Sequence, residues 1–205
     1  VSSFEDTYRT IESGTEGIFR DKGSKFIAYA YPFKEESKLK DVIARLKTLH
    51  PKARHYCWAY RLTSDRNVFR INDDGEPSGT AGRPILNVLL SKDITNILVV
   101  VVRYFGGTLL GVPGLIHAYK TAALEALTNA QFVEKTINDV YEVAFEYLQM
   151  NEVMRILKEE QVEIVSQHFD NHCVLKIEIR KLQVDIVIKK MDNLQHVKTN
   201  YLYTI

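Results

Sequence analysis

Two cysteines, Cys57 and Cys173, are all that the 205 residues contain. They fall in different expected domains, and so few cysteines exclude a disulfide framework as the source of stability. No stretch approaches 18 uninterrupted apolar residues, which excludes a transmembrane helix and any expected membrane partner. The N-terminus lacks a basic segment followed by a long apolar one, so no signal peptide is expected and the cytoplasm is the expected location. One charge sign does not dominate either: 27 Lys/Arg stand against 26 Asp/Glu. A dedicated nucleic-acid binder is usually more basic, so any such contact must be a local patch. Low-complexity tracts are also missing, and 45% apolar with 26% charged residues describes a chain that folds.

What is present divides in two. Residues 1–133 carry 18 Lys/Arg against 14 Asp/Glu, while residues 134–205 carry 9 against 12. A change of composition at Glu134-Lys135 marks the expected linker, giving domains of 1–133 and 134–205. The first opens with strand-like stretches near 7–12, 15–20 and 25–31, with a turn at Gly23-Ser24. Apolar residues at Leu39, Val42, Ile43, Leu46 and Leu49 have helical spacing, ended by Pro51. Residues 54–62 alternate, with Arg54, Tyr56, Trp58, Tyr60 and Leu62 on one face and His55, Cys57, Ala59 and Arg61 on the other. A turn at 63–67 leads to a strand over 68–72, an antiparallel hairpin. The β-branched run over 96–103 predicts a buried central strand. A helix is expected from Pro84 and another from about 114 to 130, with alanines at 118, 122, 123, 126 and 130 for close packing. Strands covered by helices make this an α/β layered domain.

The second domain reads βαββαβ: strand 139–147, helix 151–160, strand 162–169, strand 172–180, helix 182–194, strand 197–205. That order is the ferredoxin-like split βαβ. The chain is thus expected to be α/β (α+β) in class with two domains.

Two glycine-rich loops, each running from a strand into a helix, are the most pointed chemical signal. The first is Asn72-Asp73-Asp74-Gly75-Glu76-Pro77-Ser78-Gly79-Thr80-Ala81-Gly82-Arg83-Pro84; the second is Arg103-Tyr104-Phe105-Gly106-Gly107-Thr108-Leu109-Leu110-Gly111-Val112-Pro113-Gly114. Glycine permits positive φ and close approach, and a helix start offers unpaired, partly positive amides, so such loops tend to hold an anion. Neither loop is a Walker A or a dinucleotide fingerprint.

These loops, with Lys52-Ala53-Arg54-His55-Tyr56-Cys57-Trp58-Ala59-Tyr60 before them, resemble the Impact/YigZ family. The run from Asp74 to Pro84 carries the likeness, as does Val99-Val100-Val101-Val102-Arg103-Tyr104-Phe105-Gly106-Gly107. The resemblance implies that the first domain is like the second domain of ribosomal protein S5 and the second like ferredoxin-like domains of elongation factor G. It also implies a role near RNA or translation. Three positions depart from the family pattern: Leu109 replaces a lysine, Pro113 a glycine and His117 an arginine.

Candidate site residues follow. Asp73, Asp74 and Glu76 read either as acids for proton transfer or metal binding, or as turn residues capping backbone amides. Asp74, Glu76 and His55 are the candidates for catalysis. His55 and Cys57 are too few for a structural zinc site, and no metal or cofactor is expected. Ser78 and Thr80 read as caps or anion ligands. Arg54, Arg83 and Arg103 form either an anion cradle with the amides of Gly75, Ser78, Gly79, Thr80, Gly82, Gly106 and Gly107, or a structural network with the acids. Tyr56, Trp58 and Tyr60 read as core, or as base-stacking aromatics.

The expected function is a binding module associated with RNA or the ribosome and holding a phosphate-like anion, a monomer or weak homodimer. The rivals are a hydrolase or phosphoryl-transfer enzyme, and a protein-binding adaptor for translation factors.

Overall fold

A computed structural model describes residues 6–205. The chain forms two compact units: residues 9–134, and residues 135–205 together with residues 6–8. Residues 1–5 of the expected first domain lie outside the described residues. The described start groups with the second unit because the Asp6 carboxylate accepts from the Arg180 guanidinium, and the Asp6 carbonyl accepts from the Ile137 amide at 2.6 Å.

In the first unit the strands are β2 (Thr15–Asp21), β3 (Ser24–Pro32), β4 (His55–Leu62), β5 (Val68–Asn72) and β6 (Ile97–Tyr104), while β1 (Thr7–Ile11) and β7 (Phe132–Thr136) run across its boundary. The helices are α1 (Leu39–Leu49), α2 (Gly82–Ser91) and α3 (Gly111–Thr128). Five strands form one sheet in the order β2-β3-β6-β4-β5, with every neighbouring pair antiparallel. The β-branched run is the central strand, and Ile97–Val102 is wholly buried. Each such side chain contributes roughly 1.5–3 kcal/mol of burial.

Alternation along β4 decides what each face meets. Cys57 and Ala59 join the core under α2 and α3; Tyr56, Trp58, Tyr60 and Leu62 join the core under α1. The three aromatics are therefore packing residues, with Trp58 and Tyr60 stacked at 5.6 Å. Alanines 118, 122, 123 and 126 of α3 are fully buried. They let the helix approach β2 so closely that a Cβ on Gly17 would lie 2.2 Å from the Ala126 nitrogen.

Two local expectations are revised. Helix α3 begins at Gly111, three residues early, because Pro113 sits in its first turn, where no intrahelical N–H is needed. The expected linker at Glu134-Lys135 lies inside β7, which pairs with β1; its polar residues face solvent and hide the strand pattern.

The second unit holds β8 (Asn138–Phe145), α4 (Met150–Glu159), β9 (Glu163–Phe169), β10 (Cys173–Arg180), α5 (Val184–Asp192) and β11 (Val197–Thr204). Its sheet runs β11-β8-β10-β9, all antiparallel, which is the ferredoxin-like arrangement. Cys173, Leu175, Ile177 and Ile179 share the face packed against both helices.

Candidate functional site

Both glycine loops leave the same sheet. Loop 1 spans residues 73–81, between β5 and α2; loop 2 spans 105–110, between β6 and α3.

Loop 1 is organised around its own carboxylate. Asp73 Oδ1 accepts from the amides of Ala81 at 3.1 Å and Gly82 at 2.8 Å, and Oδ2 from the amide of Gly79 at 2.9 Å. The partly positive start of α2 thus already holds an anion. Asp74 is also spoken for: its Oδ2 accepts from the Tyr56 amide at 2.7 Å. Thr80 donates to the Pro77 carbonyl at 2.6 Å. Gly75 and Gly79 adopt positive φ, and Ser78 is exposed.

Glu76 turns inward. Its Oε1 accepts from Arg103 at 2.5 Å and from the Tyr119 hydroxyl at 2.7 Å. Arg103 is 5% exposed and also reaches Ser24 Oγ at 3.4 Å, while its Nε meets no acceptor. A charge at that depth is tolerable only when paired, so Glu76 and Arg103 hold one another in place. His55 lies beside them. Its Nδ1 is 2.8 Å from the Asp74 carbonyl, which can only accept, so Nδ1 carries the proton. Nε2 then faces Glu76 Oε1 at 3.8 Å.

The Cys57 thiol donates to the Asp73 carbonyl at 3.0 Å. Burial pushes its pKa up, which keeps it a protonated, unreactive side chain. Burial, with Cys57 and Glu76 adding to it, likewise raises the Tyr119 hydroxyl, so that it stays a donor. Among the described residues no group of His, Cys, Asp and Glu is arranged to hold a metal ion.

The three arginines do not share one network. Arg103 is buried with Glu76, whereas Arg54 and Arg83 have exposed side chains and make no ion pair among the described residues. Arg54 nonetheless adjoins the site, its amide donating to the Arg103 carbonyl at 2.9 Å.

Loop 2 differs. Its root is pinned by the Gly106 amide donating to Ser24 Oγ at 3.2 Å. The tight turn Lys22-Gly23, with φ positive at both residues, packs directly on it. A Cβ on Gly106 would lie 2.0 Å from the Gly23 carbonyl carbon, so only glycine fits. Beyond that point Gly107 meets nothing within 4 Å of where a Cβ would sit. Leu110, which precedes α3, supplies no side-chain cap.

Pairing across β2, β3, β6 and β4 gathers cations around this root. Arg20 lies opposite Lys25, Lys25 opposite Tyr104, and Arg54 bonds to Arg103. Lys22 is in the turn, and Lys52 precedes Arg54 by two residues. None of Arg20, Lys22, Lys25, Lys52 and Arg54 forms an ion pair among the described residues. Asp21 is the acid in that turn.

Sequence reasoning missed Ser24, Tyr119 and a chain of aromatic hydrogen bonds on the α1 face. There His50 joins Tyr29 at 2.6 Å through Nε2 and Tyr104 at 2.8 Å through Nδ1, while Tyr56 donates to the His50 carbonyl at 2.5 Å. Burial pushes the Tyr29 hydroxyl up to about 12 and, with Lys25, lowers the His50 pKa. No local motif signals these residues: His50 meets Tyr29 across 21 positions and Tyr104 across 54, Tyr119 meets Glu76 across 43, and Ser24 meets Arg103 across 79.

Comparison with known proteins agrees with this architecture. The Impact N-terminal domain model matches residues 22–127. An IMPACT family member of Haemophilus influenzae is 35% identical over 166 residues, covering 79% of this chain and 81% of that protein. The IMPACT family member YvyE of Bacillus subtilis is 30% identical over 195 residues, covering 95% and 89%. A crystal structure of a hypothetical protein is 26% identical, with a TM-score of 0.74 over 98% of this chain and 99% of its own. The chain belongs to the Impact family.

Proposed function

Proceeding from that membership, we propose that the protein is a binding module that acts on RNA or the ribosome in the regulation of translation. Its first unit contacts phosphate at the corner where β2, β3, β4 and β6 meet loop 2. The observation that carries this reading is the set of five cations, Arg20, Lys22, Lys25, Lys52 and Arg54, gathered at that corner without carboxylate partners among the described residues. Unpaired surface cations at one end of a sheet make a local positive field, although the whole chain is near neutrality. The uneven charge supports it too: residues 9–134 hold 18 Lys/Arg against 13 Asp/Glu.

The amides of loop 1 take no part in this reading, because Asp73 already occupies three of them. Nor does a hydrolase or phosphoryl-transfer reading gain support. Asp73, Asp74 and Glu76 each accept from at least one backbone or side-chain donor.

The test is the salt dependence of RNA binding. Titrating fluorescently labelled RNA over a range of KCl concentrations should give a linear log–log plot. Replacing Lys22, Lys25 and Arg54 together by alanine should weaken binding and make the slope shallower by about 2, from ~0.7 per lost phosphate contact. An unchanged slope in the triple variant would remove this corner from the account.

A further inference from the structure

Loop 2 carries apolar side chains into the middle of that basic corner. Phe105 leaves β6 directly after Arg103 and Tyr104 and is 46% exposed. Its ring centre lies 5.6 Å from the Arg103 guanidinium carbon, which on its other contact lies 5.4 Å from the Phe26 ring. The buried cation therefore braces Phe105 from within the fold. Leu109, four residues on, is 83% exposed. The Lys22-Gly23 turn packed on Gly106 fixes the root of the loop beside Lys22 and Lys25.

Single exposed hydrophobic residues are ordinary on protein surfaces. Phe105 is set apart by its bracing and by the neighbouring cations that have no ion pair among the described residues. Its chemistry also discriminates between forms of RNA. In a duplex the bases are stacked and the deep groove is closed to side chains, so a phenyl ring would find only sugar and phosphate. An unstacked base offers a π face, and its phosphates follow a positively charged groove.

We propose that the corner reads single-stranded RNA, with Phe105 as the platform on which a base stacks and Leu109 as a second apolar contact. This rests on the phosphate-contact reading above and adds the strand form and the residue that senses it.

The experiment uses the full chain, a labelled mixed-sequence single-stranded RNA and the same RNA annealed to its complement, at one salt concentration. The single strand should bind more tightly. F105A should weaken single-strand binding by about tenfold. It should leave duplex binding and the salt slope unchanged, since no phosphate contact is lost. F105Y, which keeps a ring, should retain the parent affinity, and circular dichroism checks that each variant is folded. Equal or tighter duplex binding, or an F105A variant as tight as the parent, overturns the proposal while leaving the phosphate reading intact. Absence of binding to either RNA removes both.

Discussion

Loop 1 turns its amides inward onto Asp73, whereas loop 2 is held at its root by Ser24 and at its far end by the buried Leu110, and between them turns Phe105 and Leu109 outward. The two have similar glycine content and both deliver the chain into a helix, so glycine does not separate them. The difference comes from an acid. Asp73 stands at the end of β5, within reach of the start of α2; no carboxylate occurs between Arg103 and Lys120. A helix start with an acid beside it satisfies itself, and one without an acid keeps its positive end for solvent or a ligand. Glycine-rich sequence alone therefore marks where backbone can bend, and the nearest acid decides whether the bend is structural.

The largest effect should come from the Glu76–Arg103 pair that joins loop 1 to β6. E76Q or R103M leaves a buried group without its partner and should cost about 3–5 kcal/mol in urea unfolding. Replacing both, with Leu at 76 and Met at 103, should recover part of that. A loss below about 1 kcal/mol for either single variant would mean that the pair is not what ties loop 1 to β6.

Next is the contrast itself. D73A removes the acceptor of three amides and should cost roughly 2–3 kcal/mol. L109N changes a side chain that is 83% exposed and should stay within about 0.5 kcal/mol. Similar losses at the two positions would dissolve the distinction.

The smallest effect concerns His50, which lies on the α1 face at the same end of the sheet. Its lowered pKa in the fold, from burial first and Lys25 second, favours the neutral imidazole between Tyr29 and Tyr104. The folded state then binds protons less readily than the unfolded one. Its contribution to stability is present above the ordinary value of 6.5 and is lost as pH falls through the lowered folded value. The urea midpoint of the parent should therefore drop more between pH 8 and pH 5 than that of H50Q. Parallel pH profiles would contradict the assignment.

Much of the fold was legible because burial writes a period into the chain. The β-branched run became the central strand, the alternation over 54–62 divided two cores, and βαββαβ became the ferredoxin-like unit. The turn reading of Asp73 and Asp74 was available from their residue types, since Asp caps amides. The partners were not. Glu76 meets Tyr119 across 43 positions and Arg103 meets Ser24 across 79, distances at which no spacing rule operates. Strand β7 was hidden for the opposite reason: it is short and mostly exposed, so it buries too little to show a pattern. Asp6 was lost to the wrong domain because its partner Arg180 stands at the far end of the sequence.

The most direct test is to follow backbone amide signals by NMR while adding single-stranded RNA to the full chain. The account predicts shifts at Arg20–Lys25, Lys52–Arg54 and Phe105–Leu109, with Asp73–Gly82 unmoved because Asp73 keeps its amides. Shifts concentrated at Gly75–Gly82, with the loop 2 corner silent, would contradict it.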